Sequence, residues 1–515
     1  MKEKVNRTGK KQISINIIAN IISYSANVLI AFFLTPFFIE KIGKETYSFY
    51  PIANTIVSYM SILTNSLNSI SSRFVTVALV KEDDNEADKY FSSTLSANLV
   101  MSCILAIPMI FIIVFLDKIM HVPINSVAAV KLLFSLVFGA AILNIAASVF
   151  GIATFAKNRI DLRSLREIIT AIIKVALYIV LYRFFSPTIV FVGVVALVVA
   201  FVNVLFQVGY TKYLLPNIHI SRSFISKTHT KTLLSSSTWN AINSFGNTLL
   251  AGMTLVMINV LYGASNSGTY SIVNTIPQFM SGIVAMLVGV FLPVMTYKYA
   301  ENDRVGLIDS IFSSEKLIGS IGCAFALTFV LFSKYFFSLW TPNEDIKLLV
   351  LTNIFVILPY FAIACLWPLT NLCIVLNKVK YPALANLALG VINILLDFVS
   401  FYVFKFNFLS LPLISAILQF LWVGVFIPLY ISNCLKIRPI TVVSPFLKSC
   451  IITVIMYPLI RLIVNVMTVK NWAQFIIKGG LIGIVVLAIY LLVLFGPKDI
   501  FKQIKMIRRK YNGAN

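Results

Sequence analysis

Charged residues are scarce in this chain. They make up 12% of its 515 residues, against about 25% in an average soluble domain. Hydrophobic residues reach 59%, which predicts an integral membrane protein. The net charge of +23 comes from cations in short segments between apolar runs, not from one basic domain. That distribution is typical of the positive-inside rule, so we expect membrane lipids, not nucleic acid, as partners.

Histidine and cysteine are also few, with three and six copies. The cysteines lie in or beside apolar runs without a CxxC pair, so neither a disulfide framework nor a metal site is predicted. No nucleotide-binding loop is found, and we expect no cofactor. The predicted outer connections are short, whereas a membrane glycosyltransferase or polymerase needs a large outer loop with catalytic side chains. The sequence therefore predicts a protein that is not an enzyme.

Fourteen apolar runs are long enough to cross a bilayer, which takes about 20 residues each. Of the 42 lysines and arginines, 30 lie in the two terminal segments and in alternate connections, 11 lie in the opposite connections, and Lys174 lies inside the fifth run. Both termini are therefore predicted to be cytoplasmic.

The sequence contains a repeat at a shift of 220 positions. Asn20, Ser23 and Asn27 fall on Asn240, Asn243 and Asn247, and the triplet Asn-Thr-Ile at 54–56 recurs at 274–276. Because six spans separate the copies, both face the same way. We predict an all-α membrane protein with two six-helix lobes and two further helices. The N-lobe covers 1–236 and ends in a basic linker, the C-lobe covers 237–433, and residues 434–515 hold the last two spans and a basic tail.

A narrow polar stripe marks the first span. Asn16, Asn20, Ser23 and Asn27 fall within a sector of roughly 60° on a helix. Such amides either bond neighbouring helices, at about 0.6 kcal/mol each, or line a hydrated cavity. The duplication of the stripe in the seventh span favours the cavity. The second and eighth spans add the further cavity candidates Asn54, Asn274 and Gln278.

Three charges lie at or inside the spans. Arg73 is near the cytoplasmic end of the second span, Lys174 is in the fifth, and Asp397 is the only acid that the sequence places well inside a span. Intramembrane charges face cavities or partners by default, although cations near an end also snorkel. Arg73 and Lys174 are thus candidates for binding an anionic substrate. Asp397 is a candidate for ion coupling or for pairing with a cation.

The segment 43–79 resembles the second span of the bacterial polysaccharide transporters. These form the O-antigen flippase (Wzx-type) group of the multidrug/oligosaccharidyl-lipid/polysaccharide (MOP) superfamily. Gly43, Tyr47 and Arg73 match the pattern, while Ser48 stands where many members have glycine. The resemblance implies alternating-access transport of undecaprenyl-diphosphate-linked oligosaccharide across the bacterial plasma membrane, with a polysaccharide polymerase and a chain-length regulator as further partners. A MATE-type multidrug antiporter, a lipid II flippase and, more remotely, a membrane glycosyltransferase or polymerase are the alternatives.

Overall fold

The computed structural model describes residues 2–496, with side chains from Gln12 onward apart from those of 13, 14 and 236. The basic tail predicted beyond residue 496 lies outside this range. The described chain forms two compact units, Met1–Gly268 and Thr269–Asn515. We call the helix ends beside the cation-rich segments the basic face and the opposite ends the cation-poor face.

The first unit begins with the long helix α1 and ends just inside α11. Its helices are α1 (Lys2–Ile42), α2 (Lys44–Tyr47), α3 (Phe49–Val80), α4 (Asp84–Val114), α5 (Leu116–Ile119), α6 (Val127–Ala147), α7 (Ile152–Ala156), α8 (Ile160–Phe184), α9 (Val190–Leu214) and α10 (Lys227–Tyr262). A 3₁₀ turn at Ser148–Gly151 joins α6 to α7, so that the two form one span.

The second unit contains the remaining spans. Its helices are α11 (Ala264–Ala300), α12 (Arg304–Trp340), α13 (Ile346–Ile357), α14 (Tyr360–Val375), α15 (Lys380–Tyr402), α16 (Ser410–Phe420), α17 (Ile427–Leu435), α18 (Pro439–Val466) and α19 (Trp472–Phe495). A π turn at Leu421–Phe426 joins α16 to α17.

Within the described residues, twelve helical stretches are long and apolar enough to span a membrane. The other two long helices, α3 and α8, are less apolar because they carry many polar and charged side chains. Together they agree with the prediction of about fourteen spans, and the all-α membrane fold is confirmed.

The repeat extends to the backbone at its turns. Gly43 and Gly263 both have positive φ, at 77° and 89°, in the break that follows a repeated span. Glu82 and Asn302 share the left-handed region at 60° and 57°, as do Asn158 and Asn377 at 51° and 54°. Side chains other than glycine adopt this region uncommonly, so matching positions indicate a common fold. These matching turns agree with the repeat found in the sequence.

Capping of the following helix is repeated as well. Asp83 accepts a hydrogen bond from the backbone N–H of Glu86 at 2.9 Å, and Asp303 accepts one from Gly306 at 2.8 Å. Each aspartate satisfies a free amide at a helix start.

The basic linker is packed against α4. Ile218 lies against a core cluster that includes Val75 and Phe91. The backbone N–H of His219 donates to Asp88 at 2.9 Å, and the His229 ring lies 2.9 Å from the carboxylate of Glu86. The segment contains a 3₁₀ turn, Arg222–Phe224, and its last part, from Lys227, already belongs to α10.

Helix α10 packs against α3 within the first unit. The Tyr59 hydroxyl donates to the carbonyl of Thr248 at 2.8 Å, and Phe245 meets the Tyr59 ring edge to face. The sequence repeat assigns α10 to the C-lobe. Its contacts with α3 therefore join elements of the two predicted lobes.

Candidate functional site

The polar stripe of α1 divides into two halves. Asn16 donates to the carbonyl and the side chain of Asn158 and accepts the backbone N–H of Asp161, all at 3.0 Å. Ser23 is fully buried and donates to Glu167 at 2.8 Å. These two side chains fasten α1 to the start of α8, as the interhelical-bond interpretation requires.

Asn20 and Asn27 form the exposed half of the stripe. The Asn27 side chain bonds only to the carbonyl of Ser23 in its own helix, at 2.9 Å. Helical geometry explains the division, because Ser23 and Asn16 lie at one edge of the sector and Asn27 and Asn20 at the other, about 40° apart on average. The exposed edge retains the cavity interpretation.

Helix α8 carries a polar row toward the membrane interior. Glu167 pairs with Arg163 at 3.0 Å and binds Ser23 of α1. Lys174 lies about two turns farther along the same face, roughly 10 Å deeper. Its side chain is half-buried, and no ion pair or hydrogen bond engages it among the described residues. A half-buried ammonium without a protein partner is suited to bind an anionic ligand.

Helix α3 exposes a continuous polar face. Asn54, Ser58, Asn65 and Ser69 are all exposed, and Arg73 is exposed near the basic face. Asn54 and Ser58 bond only to carbonyls of their own helix. Asn68, on the neighbouring side, instead bonds Ser148 at 2.7 Å and Asn98 at 3.0 Å. Exposed amides are costly in lipid, so this face is expected to border water.

Cysteine labelling tests this hydrated face of α3. Ser58→Cys and Asn65→Cys bracket Leu63, which is 48% exposed but points to the opposite side of the helix. We expect the two polar positions to react with a hydrophilic thiol reagent roughly tenfold or more faster than Leu63→Cys, because a thiol ionises readily only in a polar setting. Equal rates at the three positions would contradict the cavity interpretation.

The candidates of the repeated spans are divided between the two units. On α10, Asn240 and Asn243 are half-buried and Asn247 is exposed. On α11, in the second unit, Asn274 is half-buried and Gln278 is exposed, while Ser281 bonds the hydroxyl of Tyr360 at 2.6 Å. Asn20, Asn27 and Asn54 of the first unit are exposed, and so is Gln278 of the second unit.

Asp397 lies on the buried polar face of α15. It is fully buried, and neither carboxylate oxygen has a hydrogen-bond partner in the described part of the chain. Asn393, one turn earlier, is also buried without a partner for its amide atoms. A buried, unpaired carboxylate is costly unless it is neutral or binds a cation. The interpretation of Asp397 as a pair with a lysine or arginine therefore has no support within residues 2–496.

Two further carboxylates were missed by sequence reasoning. Glu315 of α12 is fully buried, with both oxygens lacking partners among the described residues, so Asp397 is not the only buried acid. Glu167, described above, binds the α1 stripe. Both lie at the edge of an apolar run, where a carboxylate ordinarily marks the end of a span. The lengths of the apolar runs did not indicate that α8 and α12 begin several residues before these two carboxylates.

A hydrogen-bonded cluster lies at the cation-poor face of the first unit. Ser267 donates to Ser48 at 3.1 Å, Asn259 donates to Ser267 at 3.1 Å, and the backbone N–H of His121 donates to Asn259 at 3.2 Å. Ser48, Asn259 and Ser267 are fully buried. We call this cluster the outer latch. It joins the start of α3 and the loop after α5 to the end of α10 and the start of α11.

The chain matches known proteins over most of its length. Residues 13–297 match the family described as polysaccharide biosynthesis protein. The uncharacterized membrane protein EpsK of Bacillus subtilis is 25% identical over 469 residues, covering 90% of this chain and 92% of that protein.

Solved structures share the fold at low sequence identity. The lipid II flippase MurJ, in an inward closed conformation, is 16% identical and has a TM-score of 0.64, covering 94% of this chain and 99% of that one. A MOP superfamily transporter from Pyrococcus furiosus is 13% identical and has a TM-score of 0.60, covering 83% and 97%. Since the family match spans more than half of the sequence, the chain belongs to the polysaccharide biosynthesis protein family, and it is a multi-pass membrane protein with the fold that these solved transporters share.

Proposed function

We propose that this protein moves an undecaprenyl-diphosphate-linked oligosaccharide from the inner to the outer leaflet of the bacterial plasma membrane. The oligosaccharide is the repeat unit of a surface polysaccharide such as an O-antigen or a capsule. Two features of the first unit carry the proposal: the exposed amide and hydroxyl face of α3, and Lys174 of α8, which no ion pair or hydrogen bond engages among the described residues. The first suits the hydroxyl groups of a glycan and the second suits a diphosphate.

The chemistry of the site favours a glycan over a lipophilic cation. The exposed side chains of the α1 stripe and of the polar face of α3 are neutral amides and hydroxyls, followed by the cation Arg73 at the basic face. Amides donate and accept hydrogen bonds at once, as a sugar with many hydroxyls requires. A multidrug antiporter for cations would be served better by exposed acids.

A deletion strain tests the proposed substrate. Loss of this protein is expected to remove the surface polysaccharide and to accumulate the lipid-linked repeat unit on the cytoplasmic side. Expression of the intact chain should reverse both changes. A strain that loses drug resistance but keeps its surface polysaccharide would favour the antiporter instead.

The proposed direction of transport needs cytoplasmic termini. The 30 cations on the basic face, against 11 on the other, favour this orientation. Cysteine labelling from outside intact cells is expected to reach position 268 and not positions 225, 305 or 510, of which 510 lies beyond the described residues. Labelling of 305 from outside would reverse the orientation.

Asp397 is the proposed ion-coupling residue. Its burial without a partner suits a carboxylate that takes up and releases a proton or a sodium ion. Asp397→Asn keeps the shape and the polarity of the side chain, so the variant is expected to reach the membrane in normal amount. Its transport should no longer respond to an imposed ion gradient. A response equal to that of the unmodified protein would exclude Asp397 from coupling.

A further inference from the structure

A basic pocket of about 410 Å³ opens on the basic face of the second unit. Three turns form it: the one between α11 and α12, the one between α14 and α15, and the one between α17 and α18. Its lining includes four cations, Lys298, Arg304, Lys378 and Lys436, and one acid, Asp303. None of these residues belongs to the candidate transport site.

The charges in the pocket are only partly neutralised. Lys298 pairs with Asp303 at 2.8 Å, and this hydrogen bond lowers the pKa of the Asp303 carboxyl from its ordinary value. Arg304 donates to the backbone carbonyls of Leu435 and Lys436. These hydrogen bonds stabilise the turn, but a carbonyl oxygen has no charge that would neutralise the guanidinium. Lys378 and Lys436 are exposed and have no ion pair among residues 2–496. The pocket therefore keeps about three uncompensated positive charges.

The corresponding region of the first unit is filled by the chain itself. The equivalent turns are those of Glu82 and Asn158, and the basic linker passes beside them with Ile218 packed into the core cluster and His219 bonded to Asp88. In the second unit α17 ends at Leu435 and α18 begins at Pro439, which leaves no comparable segment. The second repeat thus retains an open surface where the first is covered.

The repeat also reverses the charges at this surface. Arg304 stands where the first unit has Asp84, and Lys380 stands where it has Asp161. In the first unit Asp161 pairs with Arg159 at 2.9 Å, whereas Lys378, the equivalent of Arg159, has lost that partner. An acid has thus been replaced by a cation in the lining of the pocket, at Arg304, and another has been replaced two residues from the lining residue Lys378. This pattern indicates an anionic occupant.

We propose that this pocket binds a phosphate group at the basic face. Several convergent lysines and an arginine suit a multiply charged phosphate, and basic pockets between helices at a membrane surface commonly bind lipid headgroups. The chain's own C-terminal tail is excluded by charge, since residues 497–515 contain six lysines and arginines and one acid. The phosphate comes either from an anionic phospholipid of the same leaflet or from a soluble phosphate compound.

Cys434 provides a probe because its thiol lines the pocket. Its rate of labelling by N-ethylmaleimide is measured on the full chain in nanodiscs, with a cysteine introduced at the exposed Asn217 of the first unit as reference. One arm varies phosphatidylglycerol in a phosphatidylcholine bilayer, and the other adds inorganic pyrophosphate. We expect at least one ligand to slow labelling of Cys434 and to leave labelling at position 217 unaffected.

The variant Lys378→Gln/Lys436→Gln should raise the ligand concentration that halves the rate of Cys434 labelling roughly tenfold or more. This is the effect expected from the loss of one or two charged hydrogen bonds. The control Lys81→Gln/Lys212→Gln removes two exposed lysines of the same face in the first unit and should match the unmodified protein. Protection by phosphatidylglycerol alone would identify the occupant of the pocket as a lipid headgroup. Protection by pyrophosphate would identify it as a soluble phosphate compound. Absence of protection by both, or equal protection in the Lys378/Lys436 variant, would overturn the proposal. The readout does not depend on glycan export.

Discussion

A disulfide between positions 48 and 267 is expected to stop glycan export almost completely. The hydroxyl oxygens of Ser48 and Ser267 are 3.1 Å apart in the outer latch, within the range that a cysteine pair can close to about 2.05 Å. We expect alternating access to separate the cation-poor ends of α3 and α11, at which these two positions lie. A covalent bond across the latch would hold that side shut, so oxidised Ser48→Cys/Ser267→Cys should retain the substrate inside. The measurement is surface polysaccharide before and after oxidation.

Three controls accompany this experiment. A reductant should restore export, and each single variant should export normally. The pair Ser71→Cys/Thr94→Cys places a disulfide in a buried contact of 2.7 Å between α3 and α4. Both of these helices belong to the predicted N-lobe, so this bond should leave export unchanged. Full export by an oxidised 48–267 pair would mean that the outer latch does not open during transport.

Replacement of Lys174 is expected to have the second large effect. Lys174→Ala removes a half-buried ammonium that no described residue engages, so it should lower export by roughly tenfold or more, corresponding to one charged hydrogen bond to the substrate. Lys174→Arg keeps the charge and should retain part of the activity. Protein level and thermal stability should be nearly unchanged, because no hydrogen bond or ion pair among the described residues is lost.

The alternative for Lys174 is that its ammonium snorkels to the basic face and merely anchors α8. Lys212→Ala provides the comparison, since Lys212 is an exposed cation in the last turn of α9 on the same face. Export is measured as surface glycan per unit of protein in the membrane. Equal export by Lys174→Ala and Lys212→Ala would remove Lys174 from the substrate site.

The sequence predicted well the features that depend on the length of the apolar runs and on the similarity between the two repeats. Apolar runs long enough to cross a bilayer leave the backbone no choice but a helix. The match of Gly43 with Gly263 and of Asn158 with Asn377 reappears as matching left-handed turns. Both kinds of signal act locally along the chain, so no knowledge of helix neighbours is needed to use them.

The partners of individual polar side chains could not be predicted. Asn16 and Ser23 bond α8, whereas Asn20 and Asn27 remain exposed, and these two halves differ by only about 40° around one helix. Which edge is buried depends on where α8 packs. Ser48 likewise looked like a departure from a family pattern, and only its contact with Ser267 assigns it to the outer latch. A single serine such as Ser48 does not form a periodic pattern in the sequence, so its partner cannot be predicted from spacing.

The central claim is that the protein itself moves a lipid-linked glycan between leaflets. The most direct measurement uses proteoliposomes that contain the purified full chain and an undecaprenyl-diphosphate oligosaccharide bearing a label on its sugar. An added glycosidase that cannot cross the bilayer reports the fraction of label in the outer leaflet. We predict that substrate loaded in the inner leaflet becomes accessible with the intact protein and much more slowly with Lys174→Ala. Equal rates for liposomes with and without the intact protein would contradict the account.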